Sequence, residues 1–200
     1  MYFGAIKKFD IANGEGVRVS LFVSGCRNRC KGCFQPETWS FTYGKPFDEA
    51  AMAELISALE NPSVRGLTIL GGEPMEPENQ EGILPIIRAV KELFPKKSVW
   101  IYTGYLYEEL MGELASSACG DICKIEGADS GKSPRCLPIT KELLELCDIL
   151  VDGRFEEDKA RLGLRFRGSE NQRIIDMNKT RKEGRIVIWG GCADDKKYGE

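Results

Sequence analysis

Histidine is absent from all 200 residues. That absence removes Ser/His/Asp triads, Cys/His proteases and the histidine-bearing zinc and non-heme iron sites. Chemistry in this chain has to rest on cysteine, acidic groups, backbone or a bound cofactor. Long apolar runs are also missing. No stretch approaches the roughly 20 residues of a membrane span, and the opening MYFGAIKKFDIANG lacks the charged-then-apolar layout of a secretion signal. The expectation is a cytoplasmic protein with no membrane partner. Formal net charge is only -3, and the basic stretches RNRCK and KTRKEGR are short and free of interleaved aromatics. Nucleic acid is therefore not an expected partner. In a reducing compartment the eight cysteines point to free, metal-bound or catalytic thiols rather than structural disulfides.

What is present suits one domain over residues 1–200, since 42% apolar content at this length supports a real core. β-branched and aromatic runs alternate with segments of helical periodicity, the pattern of repeated βα units and an α/β fold. Strands are expected at VRVSLFV (Val17–Val23), GLTIL (Gly66–Leu70), SVWIYT (Ser98–Thr103), DILVD and RIVIW. Helices are expected at FDEAAMAELISALE, with Asp48 as N-cap, at ENQEGILPIIRAVKELF with a kink at Pro85, at LYEELMGELA and at TKELLELC.

The unusual residues fall at the carboxyl ends of the expected strands. Cys26 follows the first, Gly71–Pro74 (GGEP) the second, Thr103–Tyr105 (TGY) the third, and Asp152 and Gly153 the fourth. In a parallel sheet or barrel that edge gathers ligand-binding loops, so segments remote in sequence share one site. Taken alone, Asp152–Gly153 reads as strand-end punctuation.

Cys26, Cys30 and Cys33 are spaced C-x3-C-x2-C on one loop. Thiolates are the usual ligands of 4Fe-4S clusters, and a short glycine-containing loop can wrap three corners of such a cube, leaving one iron open. Arg27, Arg29 and Lys31 lie between the cysteines, where positive charge would favour thiolates. A zinc knuckle completed by a distant cysteine, or unligated thiols, also fits the triplet. In GGEP, two glycines let backbone approach a ligand and Glu73 offers a carboxylate to an ammonium group.

With these motifs the sequence resembles the radical S-adenosylmethionine (SAM) enzymes and, more narrowly, the activating proteins of anaerobic (class III) ribonucleoside-triphosphate reductase. The resemblance also includes NGEGVRVSLFVSGC, CKGCFQPETW, YTGY, DILVDGRF and RFRGSENQRIIDM, and spans most of the chain. It implies a partial (β/α) barrel of mainly parallel strands, and a 4Fe-4S cluster on Cys26, Cys30 and Cys33 with SAM chelating the open iron. It further implies a SAM site that includes Gly71, Gly72, Glu73 and Thr103, with Gly32 and Phe34 flanking the third cysteine. Arg167, Asn171 and Arg173 are candidates to meet SAM or the reductase, and Trp39 and Tyr105 to line the site or the core. The implied partners are the large subunit of the reductase, whose glycine loop is the substrate, and a low-potential electron donor such as flavodoxin. Activation of another glycyl-radical enzyme, a small-molecule radical SAM reaction, and a noncatalytic iron-sulfur or zinc protein are the alternatives.

One segment departs from the resemblance. SSACGDICKIEGADSGKSPRCLP reads as an insertion over about 116–138 that carries Cys119, Cys123 and Cys136. An extra metal site completed by Cys147 or Cys192, a redox-sensitive thiol set and a plain surface excursion are the three readings. Cys147, within LLELCDIL, reads as a buried structural cysteine.

Overall fold

The computed structural model describes residues 1–113 and 136–192. Its strands are β1 (Tyr2–Asp10), β2 (Val17–Val23), β3 (Lys45–Pro46), β4 (Val64–Gly71), β5 (Ser98–Tyr102), β6 (Ile149–Asp152) and β7 (Arg173–Asp176). The α-helices are α1 (Glu49–Leu59), α2 (Pro77–Leu93), α3 (Tyr107–Leu110), α4 (Pro138–Leu146) and α5 (Met177–Glu183). They form one seven-stranded sheet in the order β3-β1-β2-β4-β5-β6-β7. The four central strands β2, β4, β5 and β6 run parallel. Both flanks are antiparallel, β1 against β2 and β3 on one side and β7 against β6 on the other. The architecture is thus α/β with a mixed sheet, parallel only at its centre.

Alternation along the strands divides the side chains between two faces. Val19, Leu21 and Val23 of β2, Leu67 and Ile69 of β4, Val99 and Ile101 of β5 and Leu150 of β6 pack into the main core with α1, α2 and α4. The intervening Trp100, Ile149, Val151 and Ile174 form a second cluster with Tyr102, Phe166 and Trp189. On α1, Ala51, Leu55 and Leu59 are buried while Ile56 is half-buried, and Asp48 caps the helix by accepting from the Ala51 amide at 2.9 Å. Pro85 lies inside α2 without ending it.

The second face is floored by an arginine. Arg18 is 1% exposed. Its guanidinium donates to Thr68 Oγ1 at 2.5 Å, to the Leu67 and Ser98 carbonyls at 2.7 and 3.0 Å and to Ser98 Oγ at 3.0 Å, beside the Trp100 ring. These bonds tie β2, β4 and β5 together at their amino ends, which a buried cation tolerates only when its donors are satisfied.

Three elements differ from the sequence reading. The strand beside β6 is β7, while Arg185–Trp189 contributes only an isolated bridge between Ile188 and Ile175. The helix expected over LYEELMGELA is described only as the short α3, followed by a turn in which Gly112 takes φ +73. β1 was not anticipated as a strand. It carries register shifts between Phe3 and Ala5 and between Lys7 and Asp10, so its alternation is broken. Most of the proposed insertion, including Cys119 and Cys123, lies outside the described residues; Cys136 is a half-buried free thiol against Gly112, and Cys147 is fully buried. Among the described residues no helix is long and apolar enough to cross a membrane.

Arg173 illustrates how the second flank is fixed. Its guanidinium donates to both oxygens of Asp152, which is 0% exposed, and to both oxygens of Glu108 at 2.9 and 2.7 Å. The Tyr107 amide adds a bond to Asp152 Oδ2 at 2.8 Å. Arg173 therefore joins β7, β6 and α3 rather than facing a ligand, and the two carboxylates push its pKa up. Replacing it with Ala strands the buried Asp152 charge. Urea unfolding of Arg173→Ala is expected to show a loss of about 2 to 3 kcal/mol, below the range for fully buried pairs because the arginine is partly exposed. An unfolding free energy unchanged by the substitution would contradict this role of Arg173.

Candidate active site

The loops at the carboxyl ends of the four parallel strands meet over the second face of the sheet. Backbone bonds continue the β2–β4 pairing past the strands: the Gly72 amide donates to the Val23 carbonyl at 2.7 Å and the Glu73 amide to the Gly25 carbonyl at 2.8 Å. Gly71 allows this path. It takes φ +108, and a Cβ there would stand 2.8 Å from the Val23 carbonyl oxygen. On the other side, the Gly25 and Cys26 amides donate to the Thr38 and Trp39 carbonyls of a short 3-10 turn (Pro36–Trp39).

These loops border a cavity of about 510 Å³. Cys26, Cys30 and Cys33 line it together with Gly71, Gly72, Glu73 and Thr103, so residues separated by as many as 77 positions face one volume. Its remaining walls include the largely apolar side chains of Trp39, Phe22, Leu70, Phe155 and Phe166. Lys7, Asn13, Arg167 and Gln172 add polar groups at the same cavity.

The cysteine loop supplies sulfur ligands and donors to them. Backbone amides of Asn28 and Arg29 donate to Cys26, and the Phe155 amide donates to Cys30. Burial, reinforced by the charge of Glu73, nevertheless pushes the Cys26 thiol up to about 12. Burial pushes Cys30 up as well, against Phe155 and the nearby charge of Arg154. The intervening cations do not reverse this, contrary to the sequence expectation. Arg27 is paired with Glu76 at 2.8 Å and Glu78 at 2.5 Å, and Lys31 with Glu157 at 3.0 Å. Arg29 instead takes the left-handed conformation, φ +46, that turns the loop.

The donor set fits an iron-sulfur cube. Among the described residues no three Cys, Asp or Glu side chains converge closely enough to hold a single metal ion. A cube takes one thiol per iron, so its ligands stand apart around a shared volume, and backbone N–H groups aimed at sulfur suit an anionic cluster.

Glu73 accepts four hydrogen bonds from the protein. It is 1% exposed. Its Oε1 accepts from Thr103 Oγ1 at 2.7 Å and the Met75 amide at 2.9 Å, and its Oε2 from the Gly104 amide at 2.7 Å and Asn28 Nδ2 at 2.8 Å. Burial pushes this carboxyl up to about 7, while the bonds from Thr103, Met75 and Gly104 pull it down and the charge of Glu76 adds to the rise. Thr103 is thus placed as a support of Glu73.

Glu76, which sequence reasoning passed over, anchors the first cysteine. Its carboxylate accepts from the Arg27 amide at 2.9 Å, the Arg27 guanidinium at 2.8 Å and the Tyr105 hydroxyl at 3.0 Å. Tyr105 is accordingly core, and Asn79 of α2 reinforces the same corner by donating to the Ser24 and Glu73 carbonyls. An acidic residue three positions after Glu73, at the amino end of a helix, was the available signal. Gly32 takes φ +70 where a Cβ would press on Glu157, and Phe34, 78% exposed, packs its ring at a tilt 5.1 Å from Phe155 at the cavity rim. Asn171 donates to the Arg154 carbonyl, while Arg167 donates to the Gln172 carbonyl.

Comparison with known proteins agrees with this donor set. The family model described as a 4Fe-4S single cluster domain matches residues 12–175, covering every cysteine of the loop. Curated proteins named anaerobic ribonucleoside-triphosphate reductase-activating protein are 38% identical in Pasteurella multocida, over 82% of this chain and 90% of the relative. The chain belongs to this 4Fe-4S family, in the branch of the reductase-activating proteins. Relatives of the same name from Vibrio cholerae and Escherichia coli are 36% and 32% identical, each over 82% of this chain and 91% and 90% of their own length. The family model begins just before β2 and ends within β7, so it includes the four parallel strands and all the loops that border the cavity.

Proposed function

We propose that this chain activates anaerobic ribonucleoside-triphosphate reductase by reductive cleavage of SAM, generating a glycyl radical on the reductase. The observation that carries the reading is the convergence of Cys26, Cys30 and Cys33 on one cavity with the glycine-rich strand end at Gly71–Glu73, in a member of the activating-protein family. In this reading the sheet is the partial (β/α) barrel of the radical SAM type, residues 1–200 act as one domain in the cytoplasm, and the electron comes from a low-potential donor such as flavodoxin. A cluster held by the three cysteines would pass that electron to SAM, whose carbon–sulfur bond breaks to give methionine and a 5'-deoxyadenosyl radical. The radical takes a hydrogen atom from glycine of the reductase, leaving 5'-deoxyadenosine and the glycyl radical.

The protein's own part is binding, orientation and exclusion of water. Loading displaces protons from the Cys26 and Cys30 thiols, which burial keeps protonated at neutral pH. The amides of Asn28, Arg29 and Phe155 remain as donors to sulfur afterwards. Gly71 and Gly72 bring backbone to the cavity wall, and Glu73 places a carboxylate beside it, suited to the N–H groups of the SAM amino group. Phe22, Leu70 and Phe166 close the cavity against the sheet, and Phe34 at the rim offers an apolar contact to an incoming loop.

The test is anaerobic reconstitution, reduction and incubation with SAM, with 5'-deoxyadenosine and methionine quantified. Both should form, and adding the reductase should yield a glycyl-radical paramagnetic signal. Absence of 5'-deoxyadenosine from a protein with a full complement of reduced iron would reject the reading.

A further inference from the structure

Between β6 and β7 the chain leaves the sheet as an arm, residues 154–170, that forms one wall of the cavity. Its base is braced. The Asn171 and Gln172 side chains donate to the Arg154 and Gly153 carbonyls at 2.7 and 2.9 Å, the Gly168 and Ser169 amides donate to Gln172 Oε1, and Ala160 bridges Ser169. The outgoing limb is tied to the cysteine loop through the Phe155 amide on Cys30, the Phe34–Phe155 ring contact and the Lys31–Glu157 pair. On the returning limb Phe166 takes φ +57 and packs edge-on against Trp100 at 5.6 Å. Between these anchors the tip carries groups the fold does not use. Leu162 is 101% exposed, two residues before Leu164, which lines the cavity. Positive charge surrounds it: residues 159–169 include Lys159, Arg161, Arg165 and Arg167 and no acidic residue. Arg161 donates to the Asp158 and Ala160 carbonyls and stands 3.8 Å from Glu170, and Arg165 donates to the Gly191 carbonyl at 3.3 Å. Carbonyls leave both charges in place, and an exposed ion pair at such a distance offsets little.

We propose that the arm tip, through Arg161, Leu162 and Arg165, is the docking surface for the reductase, taking an acidic stretch with an apolar side chain close to the glycine to be converted. Hydrogen transfer requires the glycine Cα in contact with the radical carbon inside the cavity, so the chain flanking that glycine has to cross the rim. The arm is part of that rim, continuous with Phe34. An electron donor transfers no atom and has no such need, which selects the protein substrate as the occupant. Charge on the tip sets the sign of the matching segment, and Leu162 supplies the contact to be desolvated. Bracing on both limbs keeps the ordering cost of docking low.

This inference rests on the activating function proposed above, and the experiment separates the two. Reconstituted wild type, Leu162→Ser and Arg161→Glu/Arg165→Glu are reduced with dithionite, which removes any protein electron donor from the assay. Formation of 5'-deoxyadenosine is measured without reductase, and the KM for reductase is measured from the glycyl-radical signal. All three proteins should cleave SAM alike in the absence of reductase. Leu162→Ser should raise the KM for reductase about 5- to 20-fold, the worth of one leucine brought out of water. The double charge reversal should raise it about tenfold or more at low salt, with the difference shrinking as salt is added. A second pair of reversals, Lys96→Glu/Lys141→Glu, makes the same change in net charge at exposed positions on the turn before β5 and on α4, and should leave the KM within about twofold. An unchanged KM in Leu162→Ser and the arm reversal, or an equal rise in the second pair, would overturn the docking surface. Failure of wild type to form the glycyl radical would instead overturn the activating function on which it depends.

Discussion

Replacing any one of Cys26, Cys30 and Cys33 with Ala should abolish both the paramagnetic signal of the reduced cluster and the formation of 5'-deoxyadenosine. Three thiols on one loop face one cavity, and the described residues provide no alternative convergence of ligands. A cube missing one of three protein ligands exposes a second iron to solvent, which leaves it labile. Full SAM cleavage by any single variant would sink the assignment. The unloaded protein offers an independent check. Because burial pushes the Cys26 thiol up to about 12, its alkylation at pH 8 should be much slower than that of an exposed cysteine, and iron loading should release protons and accelerate with rising pH.

Glu73→Ala should cost about 3 to 5 kcal/mol of stability and also weaken SAM binding. The substitution strands the Thr103 hydroxyl, the Met75 and Gly104 amides and the Asn28 amide, each previously bonded to one carboxylate in a site only 1% exposed. A stranded buried donor costs about 1 to 3 kcal/mol, and water entering from the cavity offsets part of the sum. Glu73→Gln keeps one acceptor oxygen and presents N–H to the other two donors, so it should recover only part of the loss. Urea unfolding and calorimetry with SAM measure the two effects separately. The carboxyl also makes affinity depend on pH. It is pushed up to about 7, so below that value it is protonated and lacks the charge that favours the N–H groups of the SAM amino group. SAM affinity should rise with pH up to about 7 and then level off, and Glu73→Gln should flatten the slope. Wild-type affinity that is independent of pH from 5 to 8 would contradict this.

Much of this site was legible in the sequence because it depends on strand ends. Val17–Val23 reads as a strand from composition alone and is one. The segments that follow β2, β4, β5 and β6 all reach the cavity, since parallel strands in one sheet must deliver their carboxyl ends to one edge. The cap at Asp48 follows from local chemistry. The flanks were not legible. β1 has lysines, an exposed Phe9 and two register shifts in place of alternation, and β7 is a four-residue strand within a charged stretch, made a strand by pairing with β6. Arg173 looked like a ligand residue because an arginine beside polar residues gives no sign of its partners; only the fold brings Asp152 and Glu108 to it. Asn28 was hidden for the opposite reason, being an ordinary loop residue until Glu73 and Gly104 arrive from two other strands.

The bonds that extend the β2–β4 pairing past the strands make the three cysteines mechanically unequal. Cys26 is a fixed post, held by its own amide, by Gly25 and by the Arg27–Glu76 clamp. Cys30 and Cys33 lie in a turn whose residues Arg29, Lys31 and Gly32 are exposed, closed by a backbone bond from the Cys33 amide to the Cys30 carbonyl and tethered by the Phe155 amide on Cys30 and the Lys31–Glu157 pair. Stiffness therefore falls along the loop from its first sulfur to its last. In the proposed cluster, iron capture would order only the short arc beyond the post, which keeps the entropy of closure small. Damage to the cluster would likewise release that arc first, leaving the strand ends assembled and the empty cradle ready to be refilled.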